Sequence, residues 1–191
     1  TEDGLFRAFA EVIERVGSDK TRIYLYNIPP VAQVAISTTL IERLKTRYPN
    51  AICGIKDSSG QWSNTQEVLS ANFDDFEVFV GSETFLLQNM RNGGAGCISA
   101  TANVNPAAIH DLFLRWQEPD ADDLQAALNQ VRAVFTKYPM IPALKSATAH
   151  FTNEDVWRNV RPPLVPLPEA HHRELISDLE KIGFSMPGVA G

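Results

Sequence analysis

Lys56 closes an apolar run, Ala51-Ile52-Cys53-Gly54-Ile55, that has the length and composition of a short buried strand. A lysine in that place needs a reason, because taking an ammonium out of water is costly. Either the side chain reaches back to solvent, or it is held as a neutral amine that can attack a carbonyl carbon. Tyr26 occupies the matching place at the end of Ile23-Tyr24-Leu25-Tyr26-Asn27-Ile28. Alone, such a tyrosine is core filler with its hydroxyl at an edge. Beside an activated lysine it becomes a proton carrier.

The elements that must position these two residues follow from the hydrophobic pattern. Leu5, Phe6, Phe9, Val12, Ile13 and Val16 mark one helical face, and Pro29-Pro30 stops the Ile23–Ile28 strand. Leu40, Ile41 and Leu44 predict a helix with Ser37, Thr38 and Thr39 as candidate caps. After the Lys56 strand, Asp57-Ser58-Ser59-Gly60 reads as a loop. Ser63 and Gln66 read as a capping box for a helix carrying Val68, Leu69 and Phe73. A third strand spans Phe76 to Val80 and ends at Gly81; Thr84 to Met90 is helical, with Gly93 as its stop. The fourth strand is expected at Cys97 to Thr101. Helices follow from Asn105-Pro106, carrying Ile109, Leu112, Phe113 and Trp116, then through Leu124 to Phe135, Pro142 to Phe151 and Pro168 to Ile182. The Arg161-Pro162-Pro163-Leu164-Val165-Pro166 stretch is a surface strap. Strands alternating with helices mean an α/β fold with a parallel sheet, open or closed into a barrel. In a barrel the strand ends that carry Tyr26 and Lys56 form the catalytic rim.

Composition narrows the function classes. The net charge of −6 and the absence of any basic run oppose nucleic-acid binding. No stretch approaches the roughly 18 apolar residues of a membrane span, and the Thr1-Glu2-Asp3-Gly4 start lacks a signal peptide's pattern. The two cysteines, Cys53 and Cys97, make neither a disulfide framework nor a metal site. A reduced, cytoplasmic protein is expected. His171 and His172 are assigned to a polar, exposed helix face, and His110 and His150 lack ligand-spaced partners. Glu42, Glu67, Asp120, Asp122 and Asp123 read as solvated faces or caps. Gly93-Gly94-Ala95-Gly96 precedes a strand, so it suits tight turning at the opposite rim and not a phosphate cradle.

Three segments resemble one family in order and spacing, over Leu5 to about Phe184. Tyr26-Asn27-Ile28-Pro29 is similar to the Tyr-Asn-x-Pro motif of the dihydrodipicolinate synthase and N-acetylneuraminate lyase family. Gly54-Ile55-Lys56-Asp57-Ser58-Ser59-Gly60 resembles its Schiff-base lysine strand, and Gly93 to Asn103 its last barrel strand. The resemblance implies a (β/α)8 barrel, of which this chain would hold about the C-terminal half in residues 1–104. The last barrel helix and a helical extension would occupy 105–191. It implies that Lys56 forms an imine with a 2-keto acid such as pyruvate, that Tyr26 relays protons, and that the backbone around Ile98 and the Gly81 carbonyl line the site. An aldehyde would be the second substrate and no cofactor or metal would be needed. A homotetramer is the implied assembly of the complete protein.

Two departures bear on substrate. The family's N-terminal half, with its Gly-Thr-Thr-Gly-Glu-like motif and a second relay tyrosine, is absent from the 191 residues. The synthase branch carries an arginine shortly after Tyr-Asn-x-Pro, where this sequence has Val31 within Pro30-Val31-Ala32-Gln33. The leading expectation is therefore a 2-keto-3-deoxy-acid type of aldolase. Dihydrodipicolinate synthase, an imine-forming dehydratase and an inactive half-barrel module are the alternatives.

Overall fold

The structure is a computed structural model and describes residues 1–18 and 20–187; the last four residues of the 105–191 expectation lie outside them. The chain divides into two compact units, Thr1–Ile98 and Ser99–Gly191.

The first unit runs α1 (Glu2–Val16), β1 (Ile23–Asn27), α2 (Pro29–Ala32), α3 (Thr38–Arg47), β2 (Ile52–Asp57), α4 (Trp62–Ser70), β3 (Glu77–Val80), α5 (Leu86–Arg91) and β4 (Gly96–Cys97). The four strands form one parallel sheet in the order β1-β2-β3-β4. A sequential order with no reversal is the winding of a barrel; a doubly wound open sheet reverses at a switch point.

One face of this sheet is apolar by alternation. Leu25, Ile55 and Val78 stand side by side in register and are buried. They pack against Leu40, Ile41 and Leu44 of α3 and Val68 of α4, with Leu5, Phe6, Phe9 and Ile13 of α1 added to the cluster. A bulge at Cys53 shifts the β1–β2 register between Ile23 and Tyr24. It lets Ile52 and Ile55, three residues apart, both join the helix-covered core, which strict alternation forbids. Ser37 caps α3 through its side chain, as expected.

Several local expectations give way. Val12 and Val16 of α1 point outward and are more than half exposed. The Ser63–Gln66 capping box does not form: Gln61 is the N-cap, Ser63 lies inside α4, and Phe73 lies beyond it. Asp57 is the last residue of β2 and not the start of a loop. The fourth strand stops at Cys97, and Ala100–Asn103 forms a 3-10 helix.

At the lower edge of the sheet, Asn89 of α5 donates from Nδ2 to the carbonyls of Val78 and Gly96, both at 2.9 Å, and so ties β3 to β4. Gly94 must be glycine here, since a Cβ would fall on the Asn89 amide. Gly93, at φ 85°, makes the tight turn expected of the Gly93–Gly96 run.

The second unit holds α6 (Pro106–Arg115), α7 (Ala121–Phe135), α8 (Met140–Thr152) and α9 (Glu169–Lys181). Its core gathers Val134, Phe135, Ala143, Leu144, Ala147, Leu175, Ile176 and Leu179. His172 is not on an exposed face: it is half-buried, with Nδ1 2.7 Å from the buried Ser146 hydroxyl. Burial holds its imidazole below the usual histidine range, and the nearby Arg158 adds to this. No helix among the described residues is long and apolar enough to cross a membrane, and no cluster of metal-binding side chains occurs among them.

Ile55 is fully buried where sheet and helices meet. Ile55→Ala is expected to lower unfolding stability by about 2–5 kcal/mol and Ile55→Val by about 0.5–1.5 kcal/mol. Urea denaturation measures both, and equal midpoints for the two variants would contradict this packing.

Candidate active site

The parallel register decides which side chains meet. Tyr26 pairs with Lys56, and Lys56 with Phe79, so the three form one row across β1, β2 and β3. Alternation turns this row away from the helix-covered core. Lys56 Nζ lies 3.1 Å from Tyr26 Oη and 4.2 Å from the centre of the tyrosine ring. The amine therefore has both a hydrogen-bond partner and the negative π-face of the ring. Tyr26 is 49% exposed, which leaves its hydroxyl open to a small molecule.

The ladder continues one residue past each strand. Ser58 N–H donates to the Asn27 carbonyl at 2.7 Å, Gly81 N–H to the Asp57 carbonyl at 2.7 Å, and Ile98 N–H to the Val80 carbonyl at 2.9 Å. Ser58, Gly81 and Ile98 thus share one rim, immediately above the row of Tyr26 and Lys56. A Cβ on Gly81 would stand 2.9 Å from Ser58 Cα, so only glycine lets the two loops approach this closely. Ile98 is exposed. Val31 sits on the single turn of α2 that leaves β1 and is 74% exposed. Gln33 donates its side-chain amide to the Pro30 carbonyl at 2.9 Å, so that amide closes its own turn.

Sequence reasoning missed what holds this rim. Asp57 and Asn27 pair in register and are both buried, on the face opposite Lys56. Asp57 Oδ1 accepts from Asn27 Nδ2 at 2.9 Å and from the Ser59 N–H at 3.0 Å. Its Oδ2 accepts from Ser59 Oγ at 3.0 Å and Thr65 Oγ1 at 2.6 Å. Asn27 Oδ1 in turn accepts from the Ile36 N–H. The available signal was chemical. A carboxylate ending an apolar strand, with Ser59 and Thr65 following closely, is a buried acceptor with its donors near at hand.

Electrostatics single out Tyr26. Burial pushes its hydroxyl up, but hydrogen bonds with Lys56 and Ser58 and the Lys56 charge outweigh that, and the net shift is below the usual tyrosine value. The other three tyrosines move the opposite way. A hydrogen bond to Glu77 raises Tyr24, one to Glu14 raises Tyr48, and burial with nearby carboxylates raises Tyr138. Burial and the nearby Glu83 push the Cys97 thiol up to about 12, which favours the neutral thiol over the thiolate. The arrangement can thus present an amine and a proton-exchanging hydroxyl to one carbonyl compound.

Spectrophotometric titration is expected to resolve one tyrosine ionising before the other three, and Tyr26→Phe should remove that early step. In Lys56→Met the early step should move to higher pH, because the cation that favours phenolate is gone. Asp57→Ala removes the acceptor of four donors, two of them buried, and should cost about 3 kcal/mol or more in urea unfolding. Four coincident tyrosine titrations would contradict the Lys56–Tyr26 pairing.

A model of the dihydrodipicolinate synthetase family matches residues 1–182. The chain is 30% identical over 184 residues to an uncharacterized DapA-like lyase of Chloroflexus aurantiacus, covering 95% of this chain and 60% of that protein. It is 30% identical to the 4-hydroxy-tetrahydrodipicolinate synthase of Methanopyrus kandleri, over 98% of this chain and 61% of the relative. Among solved structures it resembles dihydrodipicolinate synthase from Agrobacterium tumefaciens, with a TM-score of 0.83 and 34% identity over 95% of this chain and 61% of that one. It also resembles YagE of Escherichia coli K12 in complex with pyruvate, with a TM-score of 0.84 and 25% identity over 96% and 62%. The chain spans about 60% of the length of these relatives. Its sequentially wound parallel sheet is part of the (β/α)8 barrel, and the chain belongs to the dihydrodipicolinate synthetase family.

Proposed function

We propose that the protein carrying this chain is a Schiff-base-forming lyase or synthase that joins or cleaves a 2-keto acid such as pyruvate and an aldehyde. The observation that carries this reading is the 3.1 Å contact between Lys56 Nζ and Tyr26 Oη on adjacent strand ends. Family membership and the pyruvate complex of YagE support it.

In this reading the Lys56 amine adds to the keto carbon, and loss of water gives an iminium. That cation draws electrons, so the neighbouring carbon gives up a proton and becomes an enamine nucleophile. The enamine carbon forms the new bond to the aldehyde carbon, and the aldehyde oxygen takes a proton through Tyr26. Water then hydrolyses the iminium, releasing product and the free lysine; the reverse sequence cleaves. Gly81 and Ile98, on the rim above Lys56, are assigned to the keto-acid pocket. Residues 1–104 are taken as the barrel part and 105–191 as its last helix and extension, within a homotetramer.

Val31 directs the aldehyde assignment. An exposed valine offers no charge to a carboxylate on the second substrate, whereas an arginine fork would. We therefore favour a 2-keto-3-deoxy-acid aldolase. The second reading, 4-hydroxy-tetrahydrodipicolinate synthase, is the activity for which the Methanopyrus kandleri relative is named.

Pyruvate with borohydride should leave a reduced pyruvyl adduct on the peptide containing Lys56, and none in Lys56→Ala; label on Lys45 or Lys145 instead would refute the assignment. Tyr26→Phe should slow turnover roughly 10²–10⁴-fold with little change in melting temperature. Val31→Arg should raise kcat/KM for aspartate semialdehyde relative to glyceraldehyde by roughly 10- to 150-fold. Efficient semialdehyde turnover by the unmodified protein would favour the second reading.

A further inference from the structure

The buried apolar residues of α9, Leu175, Ile176 and Leu179, begin only after its first turn. The first turn is held on α8 by a polar contact instead. His172 lies in it, and its Nδ1 is 2.7 Å from the hydroxyl of Ser146, which is 1% exposed within α8. A buried hydroxyl needs an acceptor for its proton, and the Nδ1 of a neutral imidazole supplies one. The tautomer that fits carries its own proton on Nε2.

The surroundings disfavour a cation at this place. Arg158, on the 3-10 turn Asp155–Arg158, adds positive charge, and so does His150 in the last turn of α8, with its ring centre 6.2 Å from that of His172. Glu169 and Asp155 pull the other way, but Glu169 already accepts from Arg158 at 2.9 Å. The flanking His171 and Arg173 of α9 are exposed. The first turn of a helix is itself its positive end, because its N–H groups lack partners within the helix. A protonated Nδ1 would also have to donate to Ser146, and the buried hydroxyl would then have to turn to a carbonyl of its own helix.

We propose that the Ser146–His172 hydrogen bond is an acid-sensitive latch: it holds the first turn of α9 on α8 while the imidazole is neutral, and acid releases that turn because the freed imidazole takes up a proton in water. Burial, and Arg158 after it, hold the latched imidazole below the ordinary histidine value. The latch is therefore at full strength above that value and weakens as pH falls through it, since the released state binds the proton first. The device lies wholly in the second unit and does not depend on the imine chemistry.

The test is amide hydrogen exchange on the protein that carries this chain, at about pH 7.5 and about pH 5.5, with rates corrected for their intrinsic pH dependence. The amides of residues 173–176 bond back into the first turn of α9 and report its release. Their protection should fall on acidification by up to about tenfold, the limit set by one pH unit below the ordinary histidine value, while that of α6 should not. His172→Gln keeps an acceptor for Ser146 but does not titrate, so the fall should vanish. If that variant fails to fold, Arg158→Gln decides. It removes a nearby cation, so the His172 titration followed by NMR should move to higher pH and the fall should shrink. Unchanged protection of α9 in the unmodified protein, or a fall of the same size in His172→Gln, would overturn the latch. So would an unmoved His172 titration with an undiminished fall in Arg158→Gln.

Discussion

The hydrogen bond between Asn27 and Asp57 fixes everything above it. Both residues are buried, and they pair across β1 and β2 in the row next to Tyr26 and Lys56. A buried carboxylate is unfavourable unless its oxygens are satisfied, and here four donors from Asn27, Ser59 and Thr65 satisfy them. A slip of one residue would break that set and turn Lys56 toward the helices, because strand side chains alternate. The polar cluster and the buried Leu25, Ile55 and Val78 row thus specify the same register.

The two faces of the sheet consequently do different work. The face toward α1, α3 and α4 is apolar and buried apart from the Asn27–Asp57 pair at its end. The other face carries Tyr24, Tyr26, Lys56, Glu77 and Phe79, which interact with one another through hydrogen bonds and ring contacts. Glycines make this crowding possible. Gly54 admits the Tyr24 ring, and Gly81 admits the Ser58 loop at the rim.

The second unit has its own core and its own buried polar contact, the Ser146–His172 pair. Its helices follow the apolar spacing closely, since each buries a single stripe such as Leu128 and Phe135 of α7. Helical periodicity is local information. Around Ser99 to Asn103 the residue pattern suits a strand, but Ala100–Asn103 is a 3-10 turn.

Much of the site is legible in the amino-acid sequence. Tyr26 and Lys56 end apolar runs, and the order and spacing of three motifs point to the family. Those features are properties of residue type and spacing, and so they survive in a linear reading. The partnership of Asp57 with Asn27 does not show there, because the two lie 30 positions apart and their burial depends on the sheet. The Tyr24–Glu77 bond is hidden for the same reason: it spans 53 residues and exists only because β2 brings Gly54 between them. Local patterns therefore determined most of the strands and helices and singled out Tyr26 and Lys56 as candidates. Only the parallel register decided which charges lie beneath and beside that pair, since contacts between distant strands are fixed by the sheet as a whole.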